Sequence, residues 1–135
     1  MTQKNTRIDR ISTFEQVCQE MGEDPKNYEV TETHPRKKGI QILNRLLLIT
    51  ECFQEGAKLN VFDNTKRKWF PWYDVEKDKS NTSGFRFIAS HYTHTYTYSV
   101  LGPLLAFQDK KTCDYVGETF AAEYKSFLEI QTGNN

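Results

Sequence analysis

The chain has too few cysteines, too far apart, to be a disulfide scaffold. Three occur in 135 residues, Cys18, Cys52 and Cys113, and none stands in a Cys-x-x-Cys pair. Zinc-ribbon and thioredoxin-type readings therefore have no footing, and reduced, buried thiols are the expectation. Long apolar runs are also missing. The best, Ile40 to Phe53, is interrupted by Gln41, Asn44, Arg45, Thr50 and Glu51, so no membrane span is expected. The first residues, Met1-Thr2-Gln3-Lys4-Asn5, lack the apolar stretch of a secretory signal, so a cytoplasmic protein is the expectation. Net charge is absent too, with 18 basic against 18 acidic residues. A polyanion binder working by bulk electrostatics is thereby excluded, and any nucleic-acid contact must rest on a local patch. No glycine-rich phosphate loop is present, and no cofactor is implied.

What the chain does have is aromatic residues, gathered in its middle. Both tryptophans and ten of the Phe and Tyr residues fall between Phe53 and Phe107. A basic triplet, Lys66-Arg67-Lys68, leads into Trp69-Phe70-Pro71-Trp72-Tyr73. Gly84-Phe85-Arg86-Phe87 and the alternating Tyr92-Thr93-His94-Thr95-Tyr96-Thr97-Tyr98 follow. Stacking on single-stranded nucleic acid needs exposed ring faces beside cations. Lys66, Arg67, Lys68 and Arg86 are the candidate cations; Trp69, Trp72, Tyr92 and Tyr96 are the candidate faces. The competing reading puts alternate aromatics into the core of a small sheet and leaves the cations in a solvated loop.

Periodicity divides the chain. Thr13 and Gln16 make a capping box for a short helix carrying Phe14, Val17, Cys18 and Met21 on one face, closed by Gly22. A longer helix from Arg36 to Glu55 carries Ile42, Leu46, Ile49 and Phe53. After Gly56 the period falls to two. Strands are predicted at Lys68 to Asp74, Gly84 to Ser90, the Tyr92 alternation and Leu104 to Phe107, with Pro71 favouring a sheet edge. Asp109 caps a last helix through about Glu129, and Gly117 inside it suggests close approach to the sheet. The expected fold is α+β: two N-terminal helices, an antiparallel sheet of three to four strands, and a C-terminal helix packed on that sheet. The domain is expected over 11–130, with polar tails at 1–10 and 131–135.

The second half resembles a family of small uncharacterised proteins from gut Bacteroidota, their phages and mobile elements. The residues that carry the resemblance are Gly56, the aromatic-Pro-aromatic stretch Trp69 to Tyr73, and Gly84-Phe85. Gly102, Leu105 and Phe107 follow, then Tyr115, Gly117, Phe120 and Tyr124. It covers about residues 36–128. It implies a phage or mobile-element setting, with the host cytoplasm as the location of a phage-encoded copy, and no activity. Members often carry basic residues where this chain has Leu104 and Gln108.

Catalytic and metal readings find little support. His91 and His94 would share a face on a helix but fall on opposite faces of a strand. Cys113 lies near a helix start, where a thiol can be activated, yet on an apolar face that argues for packing. Asp74, Glu76 and Asp78 form a charged turn. The expected function is a small non-enzymatic binding protein meeting single-stranded nucleic acid through the basic-aromatic region. The alternative is a protein-interaction or structural module, a homo-oligomer or virion component, using the same aromatic surface.

Overall fold

The structure is a computed structural model describing residues 6–57, 59, 67–74, 86–93 and 105–132, with backbone alone at 72, 74, 86–93, 131 and 132. Its elements are α1 (Arg7–Arg10), α2 (Phe14–Met21), a 3-10 turn (Pro25–Tyr28), α3 (Pro35–Gln54), β1 (Lys68–Asp74), β2 (Arg86–Thr93), α4 (Lys110–Thr119) and α5 (Ala121–Thr132).

The N-terminal helices follow from their caps. Thr13 accepts from Gln16 N while the Gln16 side chain accepts from Thr13 N, and Gly22 closes α2 in the left-handed region at φ 71°. Phe14, Val17 and Cys18 turn inward against α3. In α3, Ile42, Leu46, Ile49 and Phe53 are all buried, and Leu48, off that stripe, is buried as well. The helix is therefore covered on more than one side. Arg45 explains part of this. Its Nε and Nη2 donate to the two carboxylate oxygens of Glu123 on α5, and its Nη1 donates to Tyr28 O in the 3-10 turn. The same guanidinium lies over the Phe14 ring, 3.9 Å from its centroid.

Residues 7–10, expected as part of a polar tail, form a helical turn tied to the end of α3. Arg7 Nη1 donates to Cys52 O at 2.7 Å, and Arg7 and Arg10 both pair with Glu20. The last carbonyls of a helix have no internal partners. Here Arg7 takes that of Cys52 and Gln108 Nε2 takes that of Phe53.

The expected three- to four-stranded α+β sheet is overturned. The described residues are mostly helical, and their β structure is a two-stranded antiparallel ribbon with one isolated bridge, Trp69 to Phe107. Of the strand expected at Leu104 to Phe107, residues 105–107 do not run on as a strand, and Leu104 lies outside the described residues. Leu105 lies in a 3-10 turn, Ala106 O is taken by Gln54 Nε2, and Asp109 already caps α4 through Thr112 N. Only Phe107 is left to pair. The Tyr92 alternation enters β2 at Tyr92 and Thr93; its continuation from His94 lies outside the described residues. The C-terminal helix is not continuous either. It breaks at Phe120, whose ring packs 5.8 Å from that of Phe53. Beyond the break α5 lies along α3 rather than on a sheet, with Ile130 against Gly39. It is α4 that lies against the ribbon, where Gly117 is buried and its carbonyl accepts the Tyr73 hydroxyl at 2.7 Å. Among the described residues, no helix is long and apolar enough to cross a membrane.

Candidate functional site

β1 carries most of the basic-aromatic block, and its backbone settles which way it faces. Trp69 and Phe107 exchange both N–H···O bonds, at 3.0 and 2.9 Å. Strand residues alternate their hydrogen-bonding sides, so Trp69 and Pro71 both turn theirs away from β2. The missing N–H of Pro71 thus removes no rung between the two strands. Side chains alternate as well. Trp69 packs against the core, and Tyr73 reaches α4, so that face of β1 looks toward the helices. Phe70 falls on the other face and is half-buried.

Among the described residues, the candidate cations are not brought together as one exposed row. Arg67 is exposed, but Lys68 is 1% exposed and offers no charge to solvent. Lys68 therefore drops out of the expected set of surface cations. Arg86 stands opposite Asp74, Trp72 opposite Ala89, and Tyr92 opposite Trp69 in the antiparallel register. The register slips between Trp72 and Tyr73. Lys66 and Tyr96 lie outside the described residues. The ribbon thus brings Trp69 and Tyr92 together as cross-strand neighbours and sets Arg86 apart from Arg67, at the far end of the strand pair.

Behind β1 lies a phenol pair. The Tyr73 and Tyr124 rings sit 5.4 Å apart, and burial pushes both hydroxyls well above the ordinary tyrosine range. Tyr124 Oη is buried near the Thr50 hydroxyl, which itself donates to Leu46 O. This pair is a packing feature with its protons held in place, unsuited to acid–base exchange at neutral pH.

No thiol is offered to solvent either. All three thiols are fully buried, and burial raises Cys18 and lifts Cys52 to about 11. A thiol so placed is inert. Among the described residues, no three His, Cys, Asp or Glu side chains are grouped to hold a metal ion. His34 Nδ1 accepts from Arg36 N as the cap of α3. His91 pairs with Phe70 in the ribbon, and His94 lies outside the described residues.

Two further surface features stand out. One is a polar cleft of about 380 Å³ where α1 meets the end of α3 and the start of α4, lined in part by Asp9, Glu55, Gln108 and Asp109. It needed the docking of Arg7, which no local pattern announces. The other is the outward face of α3, where Ile40 is 62% exposed beside Arg36 and Lys37. Its signal was present: the basic run Arg36-Lys37-Lys38 stands at a helix start, where cations are disfavoured. No protein-family model, curated protein or solved structure matches the chain.

Proposed function

We propose that this is a small non-enzymatic binding protein, of the phage or mobile-element type its resemblance suggests, that meets a protein partner through the β1–β2 ribbon. The observation that carries this reading is the burial of Lys68 beside a core-packed Trp69. A single-strand binder needs cations flanking open ring faces. In β1 the cation nearest the aromatic run is inside, and its neighbouring indole is partly spent on packing. What β1 presents instead is half-exposed Phe70, neutral and apolar. Such a surface suits a protein contact, where aromatic anchors dominate and charge is depleted at the centre.

A second reading keeps the nucleic acid. It is favoured by the exposure of Arg67 and of the basic run Arg36, Lys37 and Lys38 at the start of α3. Photocrosslinking separates the two. A benzophenone amino acid at Phe70, activated in producing cells, should give a discrete adduct that protease removes and nuclease does not. A nuclease-sensitive adduct overturns the protein reading, as does the absence of any adduct. Labelled single strands should likewise show no saturable binding at low salt. Binding that weakens steeply with salt, by a slope of about 0.7 per phosphate contact, would favour the second reading.

A further inference from the structure

The outward face of α3 has the pattern of a helix that meets its own copy. Arg36, Ile40, Leu43, Asn44, Leu47 and Glu51 recur every three or four residues and form one stripe. Arg36, Asn44 and Glu51 are exposed, Leu43 and Leu47 half-buried, and Ile40 is 62% exposed. A single open aliphatic needs no explanation. Here it lies in line with two partly open leucines.

The charges on the stripe are each at the wrong end of their own helix. Arg36 is in the first turn, where the helix dipole is positive; Glu51 is in the last, where it is negative. Among the described residues neither forms an ion pair. Both placements become favourable beside an antiparallel helix, whose negative end would lie by Arg36 and whose positive end would lie by Glu51. The spacing is also symmetric. Arg36 and Glu51 are equally far along the chain from the midpoint between Leu43 and Asn44, and so are Ile40 and Leu47. A two-fold axis at that midpoint sets Arg36 against Glu51 of the second copy and Ile40 against its Leu47. This is the self-complementarity an isologous contact requires.

We infer that the outward face of α3 docks antiparallel on the same face of a second copy, making a two-fold dimer. The stripe is about 22 Å long on a helix about 10 Å wide. That is less than the roughly 800 Å² per partner of a standard interface, so the dimer is weak and concentration-dependent. It uses a surface apart from the ribbon, and its failure would leave the ribbon reading standing.

Sedimentation equilibrium over a wide concentration range tests it. The mass should rise from 15.8 kDa toward twice that value. Ile40→Asp should remain monomeric throughout, with an unchanged helical circular dichroism spectrum, since the residue is exposed. Arg36→Glu and Glu51→Arg should each weaken the dimer about tenfold by opposing like charges. Combined, they should restore it. A protein of 15.8 kDa at every concentration overturns the inference. So does a dimer indifferent to Ile40→Asp, or a double variant no tighter than the singles.

Discussion

Replacing Arg45 with methionine should cost about 3 kcal/mol of stability, more than an ordinary surface ion pair would. Arg45 and Glu123 make a two-pronged contact at 2.9 and 2.5 Å, with side chains 20% and 18% exposed. The hydrogen bonds to Glu123 hold the guanidinium charged against the cost of its burial. Breaking a fully buried pair costs about 3–5 kcal/mol, because the other charge is left stranded, whereas an exposed pair contributes about 0–1. The exposure here lies nearer the buried limit, and the variant also strands Tyr28 O and removes the cation from the Phe14 ring. Discounting for the exposed fifth leaves about 3 kcal/mol, or a fall of about 10 °C in Tm for a chain this size. Urea unfolding followed by circular dichroism reads it as a lower midpoint at unchanged slope. Arg45→Lys keeps the charge but loses the fork, and should cost about 1–2 kcal/mol. The double variant Arg45→Met, Glu123→Met should cost less than the two singles added, by at least about 1 kcal/mol. A methionine variant within about 0.5 kcal/mol of the parent would refute the reasoning, and strict additivity would refute the coupling.

Two other perturbations probe the packing. The three thiols should resist a thiol reagent in the folded protein and all react in urea, because each is fully buried. The Cys52 thiol is held near 11 against an ordinary 9.0, so its contribution is intact below about pH 9 and is lost as pH rises toward 11. That loss is about 2–3 kcal/mol, and Cys52→Ala should flatten the alkaline slope of stability; an unchanged slope would show that the thiol is not its source. At Gly39 an added Cβ would meet only the end of the Ile130 side chain, at 3.4 and 4.0 Å. Gly39→Ala should therefore raise stability by up to about 1 kcal/mol through helix propensity, and a lowered urea midpoint would show the α3–α5 contact to be tighter than that distance implies.

The helices were legible where local chemistry sets their limits. Thr13, Gln16 and Gly22 bound α2, His34 and Pro35 start α3, and Asp109 starts α4, each through contacts within a few residues. What could not be read depended on partners far along the chain. Arg7 makes a helical turn of a polar stretch only because the open carbonyl of Cys52, 45 residues away, accepts it. Phe120 ends α4 where an apolar stripe continued on both sides, because its ring packs on Phe53 while Glu123 turns to Arg45. Leu48 looked misplaced on a one-sided helix and is buried because α3 is covered from a second direction. Period-two sequence from Phe85 to Phe107 promised more strand than the backbone between Ala106 and Asp109 allows.

The site was legible only as a pair of faces. Alternation places Trp69, Pro71 and Tyr73 on one side of β1 and Phe70 on the other, but cannot say which side meets the helices. That choice is made by α4, whose backbone comes close enough at Gly117 for the Tyr73 hydroxyl to bond its carbonyl. Tyr124 then fills the space behind. Gly117 is buried on α4 at this contact. Lys68 shows the opposite limit. In a run of three bases it reads as one more solvated charge, because short charged runs usually are solvated. It stands at the start of β1, paired with Thr93 and one residue before the bridge that joins Trp69 to Phe107, and it is buried there. A buried cation is part of the scaffold, so counting bases along the chain overstates what the surface can offer a phosphate. Phe70, on the opposite side of β1 from Trp69, is only half-buried, and it is at that residue, rather than at the basic triplet, that the proposed partner would close.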